Sequence, residues 1–403
     1  MQNEIYTFNL HGYFVPLVKL HIVIIRNLQK EIIYYFDEYP VIAIVGARQV
    51  GKSTLAKSII SNYEKAIYLD AERPSHRQLL DDAEQFFELN HDKLICIDEV
   101  QNIPNIFSVI RSIVDENKSI KFLILGSASP EVLQQSESLA GRIAYFELPA
   151  LQLNELKDDY SFKKYLFRGA LPKSFLSKKD ESAFFWLQNF IVSFLERDLR
   201  QFGFDIPFEI LHRLWIMLAH NNGQQIKYST LSLSLGVSHT TVRNYVEILS
   251  QTFMLRTIQP YYINIKKRIV KSPKVYIRDV GILNALLNIR NFNELYSHPV
   301  FGTAWEIVVI ENIIHKFNDW NYFYYRTTNG NEIDLILTKA DKVVAIEIKV
   351  SVTPKVTRGF WTALDDVKAD KAYIVAPVQL SYPMKNNVSV MSLEDMIALN
   401  DLV

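Results

Sequence analysis

One cysteine, Cys96, serves a chain of 403 residues. A single thiol excludes an intramolecular disulfide and any cysteine-built zinc cluster, and it fits a reducing compartment. Lying inside the apolar run 94–97, it reads as a small buried hydrophobe. Long apolar runs are missing as well. The most apolar N-terminal stretch, residues 14–25, is broken by Lys19 and His21 and falls short of the roughly 20 residues a membrane span needs. No small-residue cleavage site follows it, so the expected location is the cytoplasm, with no membrane partner. Net charge is absent too: 44 Lys plus Arg balance 44 Asp plus Glu, and bulk charge selects no partner. Neither repeats nor a low-complexity linker interrupts the sequence, whose 49% hydrophobic content can fill two or three cores.

From residue 39 short apolar strands at 41–45, 66–69, 94–97 and 121–125 alternate with helical stretches, which predicts a parallel sheet covered by helices. The first strand runs into Gly46-Ala47-Arg48-Gln49-Val50-Gly51-Lys52-Ser53, and a helix is expected from Thr54 to residue 60. A loop of this kind holds a polyanion by aiming backbone N–H groups inward, which side chains at Gly46 or Gly51 would obstruct. Lys52 is expected to reach the terminal phosphates of ATP, and Ser53 to offer its hydroxyl to Mg²⁺. At the end of the strand 94–97, Asp98 is the expected magnesium partner and Glu99 the general base for the attacking water. Ser127, after the next strand, is placed to orient that water. Arg142 is a candidate to stabilise transition-state charge, from its own chain or a neighbour's.

Beyond residue 156 the pattern becomes helical, with amphipathic runs at 184–199 and 210–219. Residues 231–249 read as a helix-turn-helix whose second helix is capped by Ser238 and carries an apolar stripe of Val242, Val246 and Leu249. Its polar positions Thr240, Thr241, Arg243 and Asn244 are those a recognition helix presents to a groove. The segment 210–278 holds ten Lys or Arg, among them Lys266, Lys267 and Arg268, against Glu247 alone, a net +9. Such an excess suits phosphate contacts, so DNA or RNA is the expected partner; the competing reading is a solvated face or a surface that pairs with acidic parts of the ATPase domain.

Strands return at 322–326, 332–338, 343–348 and 372–375. Glu347 and Lys349 interrupt the apolar run 343–350 and point to one face, where Asp334 on a neighbouring strand can join them. Two carboxylates and a lysine on one face can bind Mg²⁺ and activate water.

The blocks G-A-R-Q-V-G-K-S, I-D-E-V-Q, G-S-A-S and L-A-G-R together resemble a prokaryotic family of AAA-type ATPases in which a domain of unknown function follows the ATPase domain. The likeness continues through Y-L-F-R-G-A-L-P at 165–172, where Ala170 replaces a glycine, L-E-R-D-L at 195–199 and P-K-V-Y-I-R-D-V-G at 273–281. The set Asp334, Glu347 and Lys349 resembles the PD-(D/E)xK nuclease superfamily, which implies a further acid on the preceding helix, a place that Glu306 occupies. The expected architecture is therefore α/β. An N-terminal extension (1–22) leads into a P-loop ATPase domain (23–155), a helical linker (156–215), a winged helix-turn-helix (216–285) and a restriction-endonuclease-like α/β domain (286–403). The expected activity is ATP hydrolysis acting on or with nucleic acid, with metal-dependent cleavage by the C-terminal unit. The alternatives are an ATP-driven switch whose C-terminal half only binds DNA or a protein, and a P-loop phosphoryl transferase. Assembly into a homo-oligomer is left open.

Overall fold

The computed structural model describes residues 24–116, 119–129, 139–156, 161–262, 271–385 and 387–403, so the expected extension 1–22 and the basic triplet Lys266, Lys267 and Arg268 lie outside the described residues. Five strands, β1 (Val41–Val45), β2 (Ala66–Asp70), β3 (Leu94–Asp98), β4 (Lys121–Gly126) and β5 (Ile143–Glu147), form an all-parallel sheet in the order β2-β3-β4-β1-β5. Side chains alternate between its two faces. Ile42, Ile44, Cys96, Leu123 and Leu125 pack on one side, and Val41, Ala43, Ile95, Ile97, Phe122 and Ile124 on the other. Burial on both faces is why these strands are nearly continuous apolar runs. Cys96 is indeed a buried free thiol.

The middle of the chain is not wholly helical as expected. Helices Phe208–His220, Tyr228–Leu235 and His239–Gln251 are accompanied by a three-stranded antiparallel sheet, ordered β6 (Gln224–Gln225), β8 (Lys274–Ile277) and β7 (Leu255–Ile258). These strands span two to four residues, too short for an alternation to register in sequence. Ser238 caps the second helix of the helix-turn-helix, accepting from the Thr241 amide at 3.0 Å.

The motif blocks at 165–172 and 273–281 meet in one joint. Gly169 has φ +71° and a Cβ there would lie 2.2 Å from Asp279 Oδ1, so only glycine fits. Asp279 is buried, caps the helix Val280–Leu286 through the Ile282 amide (3.0 Å) and accepts from the Ala170 amide (2.7 Å). Asn284 donates to the carbonyls of Leu166 and Phe167, both at 2.9 Å. These residues tie the linker helices to the helix-turn-helix unit, a structural role.

The C-terminal sheet has six strands in the order β13-β14-β12-β11-β10-β9, from β9 (Asn321–Arg326), β10 (Glu332–Lys339), β11 (Lys342–Ile348), β12 (Lys371–Val375), β13 (Tyr382–Pro383) and β14 (Val388–Met391). Strands β9, β10 and β11 are antiparallel neighbours, whereas β11, β12 and β14 run parallel. The helix Phe301–Lys316 covers one face and Arg358–Val367 the other. The β10–β9 register slips between Ile333 and Ile336, which puts one extra residue on β10 beside Asp334. A bulge re-aims the side chain it carries. No helix among the described residues is long and apolar enough to cross a membrane.

Candidate active site

The loop after β1 is built from backbone conformations that few side chains tolerate. Gly46 has φ +152° and a Cβ on it would lie 2.4 Å from the Leu148 carbonyl oxygen, so the loop and the residue after β5 meet backbone to backbone. Gly51, at φ +101°, begins the helix Lys52–Ile60, and Gln49 is left-handed at φ 65°. Val50 is buried, while Ala47 and Arg48 are half-buried and Gln49 and Thr54 exposed. Lys52 folds back to donate to the carbonyls of Gly46 and Ala47, both at 2.9 Å. Burial lowers its pKa to about 8, against the pull of Glu99 and Asp98 towards the charged form, and Arg48 adds to the lowering. Arg26 braces the loop from outside, donating to the Val50 carbonyl at 2.8 Å while Glu155 holds it at 2.9 Å.

Because β4 lies between β1 and β3, Ser127 at its end stands between the loop and the acids. Ser127 Oγ donates to Glu99 Oε2 at 3.2 Å, and Gln101 Nε2 donates to the same oxygen at 2.5 Å. Glu99 is itself left-handed at φ 53°, an uncommon state for a residue with a side chain. Asp98 is buried and accepts from the Tyr68 hydroxyl, which also hydrogen-bonds Ser53. Tyr68 therefore joins the two groups expected to hold magnesium. A hydroxyl beside a carboxylate is the hard oxygen set that suits Mg²⁺, so these residues fit the ion. Arg26 and Tyr68 escaped sequence reasoning, since one merely closes an apolar run and the other resembles a strand aromatic.

Arg142 is not in this group. It precedes β5, and its carbonyl accepts from the Val41 amide at the opposite end of β1 from the loop. Five strand residues separate the two ends, roughly 17 Å. Its guanidinium pairs with Asp115 on the surface. The expected role within its own chain is corrected accordingly.

Thr240, Arg243 and Asn244 are exposed on the helix His239–Gln251, and Arg243 stacks over the Tyr228 ring at 5.2 Å. Thr241 instead serves the Ser238 cap. The basic excess read from sequence is smaller than it looked. Arg256 is buried and Arg278 half-buried against Glu311, with contacts at 2.9 and 3.0 Å, Arg278 also pairs with Glu147, and Lys274 is buried among further acids. Arg213, Lys227, Arg243 and Lys271 stay exposed.

The C-terminal set does converge. Lys349 Nζ lies 2.6 Å from Glu347 Oε1, the Ile348 amide donates to Asp334 Oδ2 at 2.9 Å, and Glu306 accepts from the Tyr276 hydroxyl at 3.0 Å. Burial first, and Asp334 second, push Glu306 up to about 7 and Glu347 up to about 8. Lys274, arriving on β8, sets its ammonium 2.6 Å from Glu332 and 3.7 Å from Asp334. Burial works against its charge, but Tyr276 and the acids Asp334, Glu332 and Glu306 together raise its pKa. Among the described residues no three His, Cys, Asp or Glu side chains are grouped to hold a metal ion. Even so, Glu347 Oε2 is buried without a hydrogen-bond partner.

Residues 38–157 match the family described as AAA domain; residues 159–293 and 301–396 match two domains of unknown function, DUF8612 and DUF4143. An uncharacterized protein of Mycobacterium tuberculosis, Rv2008c, is 37% identical over 352 residues, 87% of this chain and 79% of its own. The chain belongs to this family of AAA-type P-loop ATPases. A more distant relative, the uncharacterized protein MJ1637 of Methanocaldococcus jannaschii, is 24% identical over 84% of this chain and 81% of its own. Among solved structures, a Walker-type ATPase of Pyrococcus abyssi is similar at TM-score 0.47 and 13% identity, over 66% of this chain and 96% of that one.

Proposed function

We propose that this AAA-type ATPase is a nucleotide-driven switch that engages nucleic acid through its helix-turn-helix. In the ATPase site Lys52 and the loop amides bind the phosphates, while Ser53 and Asp98 hold Mg²⁺, which neutralises charge on them. Glu99, oriented by Ser127, takes a proton from a water. The water oxygen bonds to the γ-phosphorus as the bond to the β–γ bridging oxygen breaks, giving ADP and phosphate.

The observation that carries the switch is a half-buried ion network. Glu147 closes β5, one residue before Leu148 on Gly46; Arg278, just after β8, pairs with Glu147 and, at 3.0 Å, with Glu311 of the helix Phe301–Lys316. Although burial opposes ionisation of Glu147, Arg278, His315 and Arg256 lower its pKa to about 2. A shift of the loop backbone thus bears directly on a charge shared with the helix-turn-helix sheet and the C-terminal unit. Nucleic-acid contact rests on the exposed Arg213, Lys227, Arg243 and Lys271, with the winged helix-turn-helix as the binding module. Titrating a labelled duplex at rising salt tests it: affinity falls as salt rises, and Arg243→Ala lowers the log–log slope by about one. Binding that ignores salt would refute the reading.

A second reading, metal-dependent cleavage at Asp334, Glu347 and Lys349 with Glu306, is favoured by the unpartnered Glu347 oxygen. Lys274 stands among those acids, so its ammonium competes with a metal ion for Asp334. Nicking of DNA with Mn²⁺ that depends on Asp334 would support this reading, and its absence in Lys274→Met as well would oppose it.

A further inference from the structure

The second helix of the helix-turn-helix, His239–Gln251, ends in a turn that reaches into the ATPase domain. Its last four carbonyls, which a helix leaves without donors of its own, are all satisfied. Ile248 accepts from the Thr252 amide at 3.0 Å, Leu249 from the Met254 amide at 2.8 Å and Ser250 from the Phe253 amide at 3.0 Å. The last two bonds cross to make a Schellman turn, whose pivot stands in the left-handed region and favours glycine. The preceding helix, Tyr228–Leu235, follows that preference with Gly236 at φ +70°. In the second helix the pivot is Phe253, at φ +62°.

A side chain held in that conformation is strained, and the strain persists only where the surroundings fix it. Here the phenyl ring is 9% exposed and joins the apolar cluster of Val41, Ala43, Ile95, Ile97 and Ile124 on one face of the parallel sheet. Among the described residues no other buried side chain from beyond β5 belongs to that cluster. Arg278 covers the ring, its Cζ 5.4 Å from the centroid. The fourth carbonyl, that of Gln251, accepts from the Ser129 amide at 2.9 Å. Ser129 stands two residues beyond Ser127 on the run that leaves β4, and Ala128 between them is fully buried. One turn thus grips the ATPase domain twice, by a ring in its core and by a hydrogen bond to the segment that carries Ser127.

We infer that Phe253 is a positioning residue for ATP hydrolysis. Its ring seats the helix end whose Gln251 carbonyl holds Ser129, and that bond sets where Ser127 presents its hydroxyl to Glu99. The inference rests on the role of Ser127 given above, and it makes the helix-turn-helix a working part of the ATPase site.

The test measures kcat, KM for MgATP and melting temperature on the full chain and on Phe253→Gly, Phe253→Leu, Ser127→Ala and the double variant Ser127→Ala/Phe253→Gly. Glycine suits the left-handed backbone, so Phe253→Gly keeps the turn and removes the ring alone. Its kcat is expected to fall by about tenfold, comparable with Ser127→Ala, while KM stays within about twofold of the parent. Phe253→Leu, which refills part of the core, recovers part of kcat. On the Ser127→Ala background, loss of the ring costs less than about twofold more, because the group it positions is gone; independent effects would multiply to about a hundredfold. Should Phe253→Gly melt below the assay temperature, Phe253→Leu carries the same cycle. Parental kcat in Phe253→Gly, or a loss that multiplies in the double variant, would overturn the inference. Parental kcat in Ser127→Ala alone would instead refute the role of Ser127 on which it rests.

Discussion

Ser127 and Glu99, from the ends of neighbouring strands, meet at 3.2 Å, and the serine hydroxyl is the donor. That contact fixes the carboxylate on the side of the phosphate loop. Glu99→Gln, which keeps the shape and removes the base, should bind ATP like the parent while turnover falls by about two to four orders of magnitude. Ser127→Ala, which only frees the carboxylate, should cost less, on the order of tenfold in kcat. Single-turnover phosphate release measures both.

The pH dependence of ATP binding follows from Lys52. With a pKa of about 8 in the free protein, it is charged below that pH and loses its proton above it. Phosphate stabilises the charged form, so binding at pH 9 should take up a proton and weaken as pH rises. Calorimetry in buffers of different ionisation enthalpy reads that uptake directly. A binding enthalpy independent of buffer at pH 9 would count against the assignment.

The Glu147 network should govern acid stability. Its carboxyl is held at about 2 against a usual 4.5, so its stabilisation is present above about pH 4.5 and is lost as pH falls towards 2. Arg278→Met strands Glu147 and Glu311 without that partner and is expected to cost about 3–5 kcal/mol at neutral pH. Thermal denaturation shows the loss, which should shrink on acidification as the stranded acids protonate.

Lys274 and the acids around it behave in the opposite sense. Glu306 and Glu347, raised to about 7 and 8, favour the fold below about pH 4.5, and that contribution fades as pH rises through those values. Lys274→Met strips Asp334 of this cation and leaves Glu332 with Arg326 alone, at 2.9 Å, and should lower stability by about 3–5 kcal/mol. If the acids form a latent metal site, Mn²⁺ restores the melting temperature of the variant and leaves the parent unmoved. A variant indifferent to Mn²⁺ would mean that the acids serve only as partners for the lysine.

Legibility in the sequence followed distance along the chain. The phosphate loop, Asp98 and Glu99 stood out because glycines and acids at strand ends break an apolar pattern locally. Glu347 and Lys349 did so for the same reason. Arg48 with Asp198, and Lys274 with Glu332, are pairs that only folding brings together, and nothing near either partner announces the other. Arg256, Lys274 and Arg278 counted as basic surface because formal charge carries no information about burial. The three short strands beside the helix-turn-helix were invisible, since Gln224–Gln225 has no alternation to read. Arg142 failed as a residue of its own chain's site for a topological reason: it enters β5 at the end where the loop is not.

Coupling between nucleotide and nucleic acid is decided by fluorescence anisotropy of a labelled duplex titrated with the Glu99→Gln chain, which should hold ATP unhydrolysed. Affinities with MgATP, with MgADP and without nucleotide are compared at one salt concentration. The network from Gly46 through Glu147 to Arg278 predicts that the MgATP form differs from the other two by fivefold or more, a coupling of about 1 kcal/mol, and that Arg278→Met abolishes the difference. The same affinity in all three states would contradict a nucleotide-driven switch.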